Sequence, residues 1–190
     1  GDAANLAALI DAQDRAAIDR GYSPVGYRVC FDSPGGSMTE GMVMASVILE
    51  RNRGTAVPPG AMCESACALA FMAGAYFSEG ESVVSDRIIH PTATLGFHAP
   101  DLDVPTGAYT ETEVEQGFGI ALETLALITE RRSQNGYNFP ESLFLVMLRT
   151  PADSMFRIET VGQAARIGIS VGPTALFDEP VERALINACT

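Results

Sequence analysis

Short apolar runs alternate along this chain with longer segments in which apolar residues recur at helical spacing. Residues 5–20 carry such a stripe between polar side chains, which predicts an amphipathic helix. Residues 27–31 form a short β-prone run that proline and glycine break at once, as expected for a buried strand followed by a sharp loop. A second helix is predicted after a cap at Ser37 or Thr39, and it ends at Leu49.

The rest of the chain continues the same alternation. The pattern predicts strands at residues 56–57, 83–84, 88–89 and 94–97, a turn at 60–64, helices at 65–74, 110–132, 140–149 and 160–167, and a loop at 101–107. Strands that alternate with helices predict an α/β fold with a mostly parallel sheet flanked by helices. The length favours a single domain over residues 1–190.

Composition and charge narrow the function classes. All 12 basic residues are arginine, so Schiff-base chemistry and a serine–lysine dyad are excluded. With two histidines, His90 and His98, a zinc site of three imidazoles is impossible within one chain, and we expect no metal or cofactor. The net charge of −12 argues against nucleic-acid binding and favours a partner that is neutral, cationic or recognised through its backbone. The longest apolar run, residues 67–76, is too short to span a membrane and predicts a core segment.

The four cysteines leave several arrangements open. They allow three pairings, and the sequence does not choose among them. Cys63 and Cys67 lie four residues apart without further cysteine or histidine ligands nearby, so a disulfide or two small buried thiols fits better than a metal site.

Two segments could supply a nucleophile and an oxyanion site. The Ser-Pro-Gly-Gly-Ser loop at residues 33–37 joins a predicted strand to a helix, where free N–H groups bind oxyanions, although such a loop alone is more often a tight turn. Ser65 begins a small-residue helix at a strand-to-helix corner, which would expose its hydroxyl beside the N–H of Ala66. Taken alone, Ser65 is more often a helix N-cap.

A base and an acid can be named by position. His98 ends the predicted strand at residues 94–97, where a side chain is fixed yet reachable. Asp153 lies between a predicted helix and the next β-prone piece. Considered singly, each is more often an ordinary surface or turn residue.

In their order along the chain, these features resemble the Clp protease proteolytic-subunit family of the ClpP/crotonase superfamily. Residues 31–42 (Phe-Asp-Ser-Pro-Gly-Gly-Ser-Met-Thr-Glu-Gly-Met) are similar to its Asn-Ser-Pro-Gly-Gly-x-x-x-x-Gly-Met segment. Residues 63–66 resemble its nucleophile corner, 97–100 its Ile-His-Gln-Pro, and 163–169 its closing Ala-x-x-Tyr-Gly-Leu. The Cys-x-Ser-Ala-Cys and Leu-Gly-Phe-His segments look most like those of predicted periplasmic Clp-like proteins.

The resemblance covers residues 5–172 and implies a fold and an assembly. The fold would be a repeated β-β-α superhelix, and the one or two strands that the family places before its first helix would be either absent or trimmed away. Residues 110–135 resemble the family's handle, which implies a homo-oligomer. The loops that dock an unfoldase ring are not visible, so no ATPase partner is implied. By resemblance the chain would be periplasmic or otherwise exported, and the even cysteine count is compatible with that.

The resemblance also implies roles for individual residues. Ser65 would be the nucleophile and His98 its general base. Gly36 and Ala66 would donate the oxyanion-hole N–H groups, and Gly35 and Ser37 would contact the substrate.

The acid is the least determined member of this centre. Asp153 would orient His98, but the alignment needs a gap to reach it; Asp101, Asp103 or no acid at all remain alternatives. Glu64, directly before Ser65, replaces the small residue usual in the family, and it would raise the pKa of His98 if its side chain pointed inward.

Three functions follow from these expectations. The first is a serine endopeptidase that cleaves unfolded or short peptides, which add as an extended strand along the Gly35–Gly36 segment. The second is a catalytically inactive Clp-like protein that binds peptides or serves as a scaffold. The third, which the scarcity of basic residues for a CoA phosphate disfavours, is a crotonase-type acyl-CoA enzyme.

Overall fold

Helices and strands alternate along the chain in the computed structural model, which describes residues 1–24, 26–77, 83–101, 106–132 and 137–173. The helices are α1 (Asp2–Asp19), α2 (Met38–Glu50), α3 (Ala66–Phe71), α4 (Glu111–Arg132), α5 (Glu141–Arg149) and α6 (Val161–Arg166). The strands are β1 (Arg28–Cys30), β2 (Gly54–Val57), β3 (Met62–Glu64), β4 (Ala75–Phe77), β5 (Val83–Ser85), β6 (Arg87–Ile89), β7 (Thr94–Phe97), β8 (Phe156–Arg157) and β9 (Ser170–Val171).

A parallel sheet in the order β1-β2-β6-β9 confirms the mixed α/β class with a parallel sheet. All four residues of β2 are buried, as expected for an inner strand covered on both faces. A core cluster of apolar side chains from the strands and helices packs around this sheet.

A second, three-stranded sheet carries the functional segments. β3 pairs in parallel with β7, with Glu64 opposite Gly96, and β8 pairs antiparallel on the other edge of β7. The prediction of a turn at residues 60–64 is therefore wrong for its second half. Met62–Glu64 is a strand because it bonds to β7, a partner distant in sequence.

The helix starts follow the capping signals closely. Ser37 caps α2 by accepting a hydrogen bond from the Glu40 N–H, and Thr160 caps α6 in a capping box with Gln163. α3 is shorter than predicted, because the chain leaves the helix after Phe71 and enters β4, a strand that the apolar run concealed.

The long helix α4 packs little of its length into the core. Val114, Phe118 and Leu122, which share one side of the helix, are more than half exposed, whereas Ile128 near its end is buried. Residues 133–135 of the predicted handle and residues 174–190 lie outside the described residues. Over the described ranges, no helix combines the length and apolar character needed to cross a bilayer.

Candidate active site

Ser65 occupies a strained corner between β3 and α3. Its φ of 57° and ψ of −127° fall in a region that non-glycine residues rarely adopt, at a cost of roughly 1–3 kcal/mol. Ser65 stands at the N-cap position, yet its side chain makes no capping hydrogen bond. Its N–H donates to the Gly96 carbonyl at 3.0 Å, which ties the corner to β7. Among the described residues the hydroxyl has no hydrogen-bond partner and is available for chemistry, unlike that of an ordinary N-cap serine.

A disulfide encloses this corner. Cys63 and Cys67, two residues on either side of Ser65, are bonded to each other with their Cα atoms 5.2 Å apart, and both are buried. The sequence left open a disulfide or two buried thiols for this pair, and the structure has the disulfide. Cys30 is also disulfide-bonded, and Cys189 lies outside the described residues.

The glycine-rich loop lies directly against the corner. The Ser33 N–H donates to the Met62 carbonyl at 2.7 Å, and the Glu64 N–H donates back to the Ser33 carbonyl at 3.2 Å. A Cβ on Gly35, whose φ is +103°, would lie 2.7 Å from both the Glu64 carbonyl oxygen and the Ser65 Cβ. Only glycine fits such an approach, so the loop and the serine corner form one unit.

Gly36 and Ala66, which carry the expected oxyanion donors, line the same cavity as Ser65. Within the described part of the chain, neither the Gly36 N–H nor the Ala66 N–H donates a hydrogen bond to another residue. The Ala66 N–H is the first of α3, where helix N–H groups lack partners within the helix. Two such donors beside a serine hydroxyl can stabilise an oxyanion.

His98 follows β7 and is oriented by its own backbone. Its Nδ1 lies 2.7 Å from the Ala99 carbonyl oxygen. A carbonyl oxygen only accepts, so Nδ1 carries the proton and Nε2 of the neutral ring is left as the basic nitrogen. The ring is thus in the tautomer that a general base needs.

One cavity of about 330 Å³ brings the candidate residues together. Ser65, His98, Gly36, Ala66 and Ser37 line it, and apolar side chains complete its wall: Leu69, Phe97 and Met147. No hydrogen bond joins Ser65 to His98 in the described ranges, and catalytic hydrogen bonds of this kind often tighten only in the complex with substrate.

The candidate acids differ in whether they line the cavity of Ser65 and His98. Asp153 is exposed in the turn before β8 and does not line the cavity, and no hydrogen bond or ion pair connects it to His98 in the described ranges. Asp101 does line the cavity. Asp103 lies outside the described residues. The predicted bond between Asp153 and His98 is therefore not formed in the described ranges.

Glu64 is paired with Arg157 and not with His98. Its Oε1 accepts a hydrogen bond from Arg157 Nε at 2.9 Å, an ion pair that spans from β3 across β7 to β8. The Glu64 side chain is mostly buried and the Arg157 side chain is half exposed. Arg157 could not be predicted from the sequence, because no local pattern indicates that it contacts Glu64, 93 positions earlier in the chain.

The His90 side chain forms a hydrogen bond within its own turn. Its Nδ1 accepts a hydrogen bond from the Thr92 N–H at 3.2 Å, and it does not line the cavity of Ser65. In the described ranges, no group of three or more histidine, cysteine or acidic residues is placed to hold a metal ion.

Two comparisons with known proteins found no match for the chain. No protein-family model matches it, and no curated protein matches it either. The function is therefore inferred from the site itself.

Proposed function

We propose that this protein is a serine peptidase-like hydrolase in which Ser65 is the nucleophile and His98 the general base. The observation that carries the proposal is the Ser65 corner. A non-glycine residue held at positive φ on a strand-to-helix turn, opening on a cavity with a histidine, is what a nucleophile elbow requires, and here a disulfide also encloses the turn. An ordinary helix cap would need neither the strain nor the free hydroxyl.

The proposed reaction uses groups that already line the cavity. His98 Nε2 takes the Ser65 hydroxyl proton as Oγ attacks the peptide carbonyl, and the N–H groups of Gly36 and Ala66 hold the resulting oxyanion. When the C–N bond breaks, the imidazolium returns that proton to the leaving amine. Water then releases the acyl group by the same steps. The Ala99 carbonyl keeps His98 in the right tautomer, a task that a carboxylate performs in a triad.

The substrate would be an unfolded or short peptide. Its backbone would add as an extended strand along the Gly35–Gly36 segment and place one side chain against the apolar wall of the cavity. The resemblance to the Clp family supports this binding mode and the repeated β-β-α superhelix. It also supports a homo-oligomer, as does the exposed apolar side of α4, which Val114, Phe118 and Leu122 form. The disulfides support an exported, oxidising location.

A second function has one observation in its favour. No carboxylate is bonded to His98 in the described ranges, and a weakly oriented base suits an inactive peptide-binding protein or scaffold. This alternative expects peptides to bind equally well to wild type and to the Ser65→Ala and His98→Ala variants, without cleavage.

Labelling with a fluorophosphonate probe tests the hydrolase proposal. We expect the wild-type protein to be labelled at neutral pH and the Ser65→Ala variant to be unlabelled. Ser154→Ala is the matched control, because Ser154 is an exposed serine that does not line the cavity, and it should label like wild type. A folded wild-type protein without labelling, or labelling that survives Ser65→Ala, would overturn the proposal.

A further inference from the structure

A second cavity adjoins the one that holds Ser65. It measures about 260 Å³, just below the roughly 300–1,000 Å³ typical of small-molecule pockets, so one amino-acid side chain suits it better than a whole ligand. Gly36, Ser37 and Ala66 line both cavities. A peptide bound at the catalytic cavity can therefore direct a neighbouring side chain into this second space.

The second cavity combines apolar walls with acidic groups. Phe31, Met44 and Cys67 supply apolar surface, while Asp2 and Glu40 supply two carboxylates. No arginine or histidine side chain lines it among the described residues, in a chain that also has no lysine. No side-chain cation among the described residues therefore balances the two carboxylates inside this cavity, and a concave surface concentrates the field of any net charge.

Glu40 is held in place yet keeps binding capacity. Its Oε1 accepts a hydrogen bond from the Ala3 N–H at 2.7 Å, which fixes the carboxylate against the start of α1. Its Oε2 has no hydrogen-bond partner in the described part of the chain. A fixed carboxylate with one free oxygen at the end of an apolar space suits a ligand with a long apolar stem and a cationic end.

We infer that this second cavity receives an arginine or lysine side chain of the substrate peptide, with Glu40 and Asp2 binding its cationic end. The inference rests on the proposed function for the position of the peptide. It names a specificity that the apolar wall around Ser65 does not provide, and the net charge of −12 would draw basic peptides toward the site.

Cleavage of matched peptides tests this inference. Arginine is placed in turn at each position flanking the scissile bond and compared with citrulline, which has nearly the same shape without the charge. At one position we expect kcat/KM for arginine to exceed that for citrulline by roughly five- to tenfold, a ratio that added salt should lower. Glu40→Gln should remove most of this ratio while keeping the Ala3 hydrogen bond, because the amide oxygen still accepts.

The control variant is Glu50→Gln, on the same helix but outside both cavities, which should keep the wild-type ratio. Cleavage without any arginine preference, or a preference unchanged in Glu40→Gln, would overturn the inference and leave the proposed function intact. If no peptide is cleaved, binding to Ser65→Ala measured by fluorescence anisotropy decides. A preference for the arginine peptide that Glu40→Gln removes would support the cavity assignment, and equal affinities for the two peptides would contradict it.

Discussion

The cavity that Ser65 and His98 line has a Ser65 side and a His98 side, and different contacts hold each of them. The Ser65 side is fixed from every direction: β3 pairs with β7, a disulfide encloses the corner, and Gly35 leaves no space for a Cβ. On the other side, the His98 side chain makes one hydrogen bond within the described ranges, to the carbonyl of the next residue.

This difference shows which side of the cavity the surrounding contacts hold most firmly. Strain at Ser65 persists only because the surrounding contacts over-determine the backbone. The backbone of Ser65, the proposed nucleophile, is therefore fixed by strand pairing and a disulfide, whereas the side chain of His98, the proposed base, is bonded in the described ranges to the neighbouring Ala99 carbonyl. Replacements at Gly35, at the Cys63–Cys67 disulfide, at Tyr137 and at Asp153 disturb first the Ser65 side and then the His98 side, with expected effects that decrease in that order.

Replacing Gly35 by alanine should have the largest effect on the Ser65 side. The new Cβ would lie 2.7 Å from the Ser65 Cβ, and the residue would be forced to keep a φ of +103°. The corner must shift, and a displacement of about 1 Å at a reacting atom lowers rates by about 10²-fold. The measurement is the second-order rate of fluorophosphonate labelling.

Gly119→Ala is the control for that experiment. Gly119 lies in α4, its φ is not positive, and a Cβ there meets no atom within 4 Å, so the labelling rate should be that of wild type. A Gly35→Ala protein that labels as fast as this control would show that the corner does not depend on the close approach.

Removing the Cys63–Cys67 disulfide should have the next largest effect. The Cys63→Ala/Cys67→Ala double variant deletes only this bond, whereas a reducing agent would also reach Cys30. For so short a loop we expect a loss of about 2 kcal/mol in the free energy of unfolding, measured by urea denaturation. The labelling rate should fall several-fold at the same time. A stable double variant with an unchanged labelling rate would contradict the role of the disulfide at the corner.

Tyr137 supports the far side of α3 and should have a smaller effect. Its hydroxyl donates to the Leu69 carbonyl at 2.9 Å, and Tyr137→Phe should lower the free energy of unfolding by about 1 kcal/mol. Labelling of Ser65 should change little, since β3 and the disulfide still hold the corner.

The ionisation of Tyr137 gives an independent check. Burial raises the pKa of its phenol, an effect that the nearby Arg87 cation offsets only in part. The folded chain keeps this proton to a higher pH than the unfolded chain, so the stabilisation is complete below about pH 10 and is lost as the pH rises beyond it. In alkaline absorbance titrations, folded wild type and Tyr137→Phe should therefore give equal tyrosinate signals. A weaker signal in the variant near pH 10 would contradict the burial.

Asp153→Asn should have the smallest effect. Replacing the acid of a working triad costs about 10⁴-fold, but exposed Asp153 has no bond to His98, so we expect labelling within about twofold of wild type. Asp101→Asn is the informative comparison, since Asp101 lines the cavity. A large loss in Asp153→Asn would mean that the turn moves to reach His98.

The local sequence predicted much of this fold because local signals dominate it. Periodicity located all six helices of the described chain, and the capping residues Ser37 and Thr160 set two of their starts. The strand Met62–Glu64 was missed because pairing with β7, rather than its own propensity, makes it a strand.

The site was predictable in part for the same reason. Ser65, His98, Gly36 and Ala66 each lie at a turn or an element end that the pattern marks, and they do line one cavity. The acid was not predictable, because the place of Asp153 depends on how β8 docks against β7. The Glu64–Arg157 pair and the acidic second cavity likewise arise from contacts between distant segments.

The most direct test of the central claim is whether Ser65 depends on His98 for its reactivity. The measurement is the rate at which fluorophosphonate modifies Ser65 at neutral pH, located by peptide mass spectrometry, in wild type and in His98→Gln. We expect modification at Ser65, and we expect the modification rate of His98→Gln to be lower than that of wild type by about 10²–10⁴-fold, the contribution typical of a general base. Equal rates in the two proteins, or modification at another serine, would contradict it.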